Sequence, residues 1–138
     1  MTKYSHILIA EDELRIRRSL KFILENAGYH VSSAMNGADA LQTILSEKVA
    51  ENPVEMLVLD LDMPTMDGIE LLEELEQRQI DMPVLIITGY ADRMPINELM
   101  ASGQCRDFMV KPVNPDELLQ YVCRLFAAQH QDVTLVPK

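Results

Sequence analysis

No stretch of this 138-residue chain approaches the roughly 18 consecutive apolar residues that a membrane-spanning helix needs. The start, MTKYSHILIAEDE, sets one lysine and a four-residue apolar run ahead of acids, unlike a secretory signal. A soluble protein of the cytoplasm, without a membrane partner, is the expectation. Cysteine is scarce as well: Cys105 and Cys123 stand apart without CxxC or Cys/His spacing, which argues against a metal finger or a disulfide framework and leaves buried or bystander thiols. Lysine- and arginine-rich runs are missing too, and a formal charge of −10 leaves no basic face to neutralise nucleic-acid phosphates. Partners are expected among proteins and cations.

What is present suits one globular domain: 48% apolar and 25% charged residues in a chain too short for a core plus a second folded module. Five short apolar runs, HILIA (6–10), HVSSA (30–34), EMLVLD (55–60), PVLIIT (83–88) and DFMV (107–110), read as strands. Three of them are near-continuous in Ile, Leu and Val, as parallel strands covered on both faces are. Helical patterns lie between. Ile16, Leu20, Ile23, Leu24 and Ala27 form one apolar stripe that Gly28 is placed to end, with Arg15, Arg18 and Lys21 opposite. A second helix starts after Asn36 and carries Ala40, Leu41, Ile44 and Leu45. A third sets Ile69, Leu72 and Leu75 beside the acids Glu70, Glu73, Glu74 and Glu76, with Asp67 as its cap. A fourth spans about Pro95 to Ser102, ended by Gly103. The fifth opens on the Asn114 cap and Pro115 and buries Leu118, Leu119, Val122, Leu125 and Phe126. A domain over 1–128 is expected, followed over 129–138 by a C-terminal tail or the start of a linker.

Alternating strands and helices predict an α/β doubly wound sheet with helices on both faces, and ligands of such sheets bind beyond the carboxyl ends of the strands. The chain sets Glu11 and Asp12 there after the first strand, Asp60 at the end of the third, Thr88 at the end of the fourth and Lys111 after the fifth. Each alone fits an ordinary helix cap or loop position. Together Glu11, Asp12 and Asp60 repel one another unless cations neutralise them, and Lys111 supplies a single positive charge. An all-oxygen site of this kind suits Mg²⁺, which keeps several waters and shares a substrate's phosphate. A carboxylate beside Mg²⁺, a lysine and a threonine hydroxyl is equipped for phosphoryl transfer.

AEDE after the first strand, DLDMPTMDG with Asp60, Pro64 and Gly68 evenly spaced, IITG ending the fourth strand and FMVKP on the fifth come in one order between about His6 and Ala127. In this the chain resembles the response-regulator receiver domains of two-component signalling. The resemblance implies a flavodoxin-like fold, a five-stranded parallel sheet of order 2-1-3-4-5 with five helices. It implies that Asp60 is the phosphoacceptor, taking a phosphoryl group from a phosphohistidine of a sensor histidine kinase or phosphotransfer domain. Glu11, Asp12, Asp60 and the backbone carbonyl of Asp62 would hold Mg²⁺, with Mn²⁺ able to substitute and Glu11 acting through water. Thr88 and Lys111 would contact phosphoryl oxygens. Phe108 would be the switch aromatic, following Thr88 and altering the face of helix four, strand five and helix five toward a downstream protein or an effector domain outside this chain. A cis Lys111-Pro112 bond is a further expectation. Asp62 and Tyr90 would flank the path of the hydrolytic water and tune the lifetime of the phosphoryl group. Such a domain phosphorylates and slowly dephosphorylates itself and is not a turnover enzyme. Helix one's Arg15, Arg18 and Lys21 lie where similar domains dock the kinase, and homodimerisation stays open. Glu11 stands where Asp is more frequent, Phe108 lacks the hydroxyl of the commoner Tyr, and the Thr88 to Lys111 spacing is one residue longer than usual.

DLDMP also resembles the nucleophile motif of haloacid-dehalogenase-type phosphatases, with Asp60, Asp62, Thr88 and Lys111 in the corresponding parts. Chain order speaks against it, because Glu11 and Asp12 precede Asp60 instead of following Lys111. A pseudo-receiver that works without phosphorylation is disfavoured by the presence of acceptor, metal acids and lysine together.

Overall fold

The computed structural model describes residues 5–61, 68–89, 96–103 and 105–134, with backbone alone at 96 and 129–134. Strands and helices alternate in the order β1 (His6–Ala10), α1 (Leu14–Asn26), β2 (His30–Ala34), α2 (Gly37–Val49), β3 (Met56–Asp60), α3 (Gly68–Gln77), β4 (Val84–Thr88), α4 (Ile96–Ser102), β5 (Asp107–Val110) and α5 (Pro115–Thr134). All strand pairs are parallel and the sheet order is β2-β1-β3-β4-β5. This is the expected flavodoxin-like arrangement, with the chain reversing direction across the sheet at β1 and β3.

Every residue of β1, β3 and β4 is buried, which is why these runs are apolar without alternation. The two-residue period still sorts them by face. Leu8, Ala10, Leu57, Leu59 and Ile86 pack with Ala40, Ile44, Leu71, Leu75 and Leu99 of α2, α3 and α4. Ile7, Ile9, Met56, Val58, Leu85, Ile87 and Met109 pack with Leu20 and Leu24 of α1 and with Leu118, Val122 and Phe126 of α5. Each such large side chain, wholly removed from water, contributes about 1.5–3 kcal/mol against chain entropy, and the alanines less. The same period places Glu11, Asp60 and Lys111 on the α1/α5 side at the strand ends, and Thr88 and Phe108 on the α4 side.

Local signals hold the helices where the sequence sets them. Asn36 Oδ1 accepts from Asp39 N at 2.8 Å and Asn114 Oδ1 accepts from Glu117 N at 3.0 Å. Gly28 (φ 101°) and Gly103 (φ 84°) take the left-handed conformation that ends α1 and α4. Two features differ from the sequence expectation. The apolar stripe of α1 stops at Leu24: Ala27 is the exposed C-cap residue, because the chain has already begun its turn into Gly28. And α5 continues as helix to Thr134, into the segment read as a tail. Asp67 and Pro95 lie outside the described residues.

At the foot of the sheet, the amino-terminal ends of the strands, a polar cluster joins β1, β2 and the α2–β3 loop. The His6 ring, 1% exposed, has Nδ1 at 2.9 Å from the Asn52 carbonyl and Nε2 at 2.7 Å from the Ser32 hydroxyl. The carbonyl can only accept, so Nδ1 carries the hydrogen. Glu55 closes the ladder from β3's side, accepting from His6 N at 2.9 Å and donating its own N–H to the His6 carbonyl at 2.8 Å. His30 lies against His6 with ring centroids 4.3 Å apart.

Candidate functional site

At the opposite end, β1 delivers Glu11 and Asp12 into the turn before α1, and β3 ends on Asp60. Glu11 is wholly buried and Asp60 is 3% exposed, while Asp12 is exposed. A carboxylate oxygen from each lies within 4.8 Å of the others. Lys111, just past β5, donates its backbone N–H to the Thr88 carbonyl at 2.9 Å, which anchors it beside β4. Its Nζ donates to Asp60 Oδ2 at 3.3 Å and stands 3.0 Å from Glu11 Oε1. The second contact is an ion pair, and among the described residues Glu11 Oε1 is buried with no well-aligned hydrogen-bond donor. Lys111-Pro112 is cis.

Burial pushes the Glu11 carboxyl up to about 7; the Glu13 N–H and the Lys111 ammonium oppose the rise, and the Asp60 carboxylate adds to it. Burial alone would lower the Lys111 ammonium, but Glu11 and Asp60 outweigh it and hold the group above its ordinary value. Charge in this corner is therefore negative in excess.

The residues fit a divalent cation. Among the described residues three carboxylates converge against one ammonium, and the donors are all hard oxygens.

The backbone explains why Asp60 is presented here. Gly68, the first residue of α3, donates its N–H to the Leu61 carbonyl at 2.9 Å. A Cβ at residue 68 would stand 2.6 Å from Leu61 Cα and 2.9 Å from the Asp60 carbonyl oxygen. Glycine is required here by the close approach of the main chain at Asp60 and Leu61.

Of the residues singled out from sequence, Glu11, Asp12, Asp60 and Lys111 come together directly. Thr88 is wholly buried at the end of β4, in register with Val110 immediately before Lys111. Phe108 is half-buried on β5 opposite Ile86, packed on the α2–α4 side. Asp62 and Tyr90 lie outside the described residues. Sequence reasoning passed over Arg17, whose Nη1 donates to the Glu11 carbonyl at 2.8 Å. Cys105 is buried and Cys123 exposed, both free, and burial pushes the Cys105 thiol up to about 11 against the bonds it makes.

A family profile described as response regulator receiver domain matches residues 7–123. The response regulator receiver protein CpdR of Brucella abortus is 44% identical over 85 residues, covering 62% of this chain and 67% of CpdR. The regulatory protein AtoC of Escherichia coli is 33% identical over 129 residues, covering 94% of this chain. This chain spans only 27% of AtoC's length. Among solved structures, the response regulator TrrA of Thermotoga maritima, in complex with Mg²⁺-BeF, aligns with a TM-score of 0.71 and 30% identity over 88% of this chain and 98% of that one.

Proposed function

This chain belongs to the response regulator receiver family, and from that premise we propose that it is a phosphorelay switch whose acceptor is Asp60. The observation that carries the reading is the convergence of buried Asp60 with Glu11, Asp12 and the Lys111 ammonium at one sheet edge. An Asp60 carboxylate oxygen attacks the phosphorus of a phosphohistidine, forming an acyl phosphate as the P–N bond breaks and the imidazole leaves. Lys111 offsets charge on the phosphoryl oxygens, and the Thr88 hydroxyl donates to one of them. Glu11, Asp12, Asp60 and the Asp62 carbonyl would hold Mg²⁺, or Mn²⁺ in its place. The cation, when bound, draws negative charge off the transferring group.

Thr88 and Phe108 lie by strand alternation on the α4 side of the sheet, so a hydroxyl drawn toward the phosphoryl group leaves space that the Phe108 ring follows. The face of α4, β5 and α5 changes as a result. Water later attacks the same phosphorus, restoring the carboxylate and releasing phosphate, and Asp62 and Tyr90 would tune that rate. The kinase or phosphotransfer partner docks on α1, where a groove of about 450 Å³ lies between Arg15, Ile16 and Ile23 and the Pro112–Val113 segment. Residues 1–128 form the receiver, and its last helix carries on beyond them to Thr134.

Incubation with Mg²⁺ and acetyl phosphate tests this by intact mass. Wild type gains a single phosphoryl increment and Asp60→Asn gains none. An adduct that survives in Asp60→Asn, or none in wild type, overturns the assignment.

A further inference from the structure

Glu11 and Asp12 sit in the short turn between Ala10, the end of β1, and Leu14, the start of α1. Short turns between a strand and a helix are the most adjustable part of such a fold, yet this one aims two carboxylates at Asp60. Its entrance is tied by Glu11 N to the Ala34 carbonyl at 3.1 Å, and its exit by Arg17 N to the Glu13 carbonyl at 2.9 Å. The middle is held by a side chain: Arg17, half-buried on α1, reaches back to donate Nη1 to the Glu11 carbonyl at 2.8 Å.

We propose that Arg17 is a positioning residue of the cation site, locking the peptide plane between Glu11 and Asp12. A peptide unit is planar. With Glu11 N held by β2 and Glu11 O held by the guanidinium, the direction in which Asp12 leaves that plane is set. The Glu11 side chain is fixed by the same frame, through Oε2 on Glu13 N at 3.1 Å. A charged donor makes the bond stronger than a neutral one would. Groups that orient metal ligands in this way typically control affinity by 10- to 100-fold.

The inference rests on the site being a Mg²⁺ site, and the experiment separates the two. Mg²⁺ affinity is measured by NMR shift titration of the intact chain for wild type, Arg17→Met and Arg17→Lys, at low salt and at 1 M KCl. Amide exchange at Glu13 is followed in the metal-free proteins. Arg17→Met weakens Mg²⁺ by about tenfold and speeds Glu13 exchange, while Arg17→Lys, which retains a charged donor, recovers most of both. The loss persists at 1 M salt, where the screening length is about 3 Å. Arg17→Gln, too short to reach, repeats the pattern and guards against a packing effect of methionine. Wild-type affinity in Arg17→Met, or a deficit that disappears at 1 M salt, overturns the proposal. A wild type that binds no Mg²⁺ overturns the reading of the site and this inference with it.

Discussion

At the foot of β1 the buried His6 ring has a partner on each nitrogen and its backbone is clasped by Glu55. At the head of the same strand Glu11 is equally buried, faces two other carboxylates, and among the described residues has one oxygen held by the Lys111 ion pair without a well-aligned hydrogen bond. The foot matches donor to acceptor and asks for nothing further. The head gathers three carboxylates around the Lys111 ammonium, an excess of negative charge that a bound cation would relieve. Satisfied polar groups hold a fold together, whereas groups kept out of balance by their surroundings are where chemistry happens.

The contrast is tested most severely by pH. Glu11 titrates near 7 in the folded chain against an ordinary 4.5, so between those values the folded state binds more protons than the unfolded one. Metal-free stability is highest below pH 4.5 on this account and falls as pH rises through about 7, by roughly 3 kcal/mol at most. Denaturant titration across that range reads the slope, and Glu11→Gln flattens it. Mg²⁺ at a hundredfold its dissociation constant restores about 2.7 kcal/mol above pH 7.

Next in size is Gly68→Ala. The added methyl meets the backbone of Asp60 and Leu61, so the turn must shift, at a cost of about 1–3 kcal/mol. Mg²⁺ affinity falls with it, although residue 68 offers no ligand; a calorimetric titration checks the pair of effects. The smallest effect belongs to the foot: Ser32→Ala leaves His6 Nε2 without its hydroxyl and costs about 1 kcal/mol, measured by thermal melt, with Mg²⁺ affinity unchanged. Were Ser32→Ala to weaken Mg²⁺, the two ends would be coupled and the contrast would fail.

Much of this was legible in the chain itself. The strands could be read because β1, β3 and β4 are buried on both faces and so are apolar throughout, and the site because its acids and lysine fall at strand ends. Ala27 misled because helical spacing continues in a sequence after the backbone has turned away at Gly28. The foot cluster and the Arg17 contact were hidden for another reason. Ser32 and Asn52 reach His6 across 26 and 46 residues, and Arg17 meets a backbone carbonyl, which every residue has, so no pairing of residue types announces it. The need for Gly68 was visible as a motif, but its cause is a clearance between main chains that only the fold defines.

That clearance has an evolutionary reading. Any missense change at codon 68 adds at least a Cβ where Leu61 Cα and the Asp60 carbonyl already stand. With Asp60 as the proposed acceptor, a saturation mutagenesis library selected for signalling is expected to be depleted at position 68 much as at position 60, and a fitness map alone would score the two as equals. Selection for stability without signalling parts them: replacements of the aspartate, which relieve crowded charge, are enriched over those of the glycine, which carry the cost of the clash.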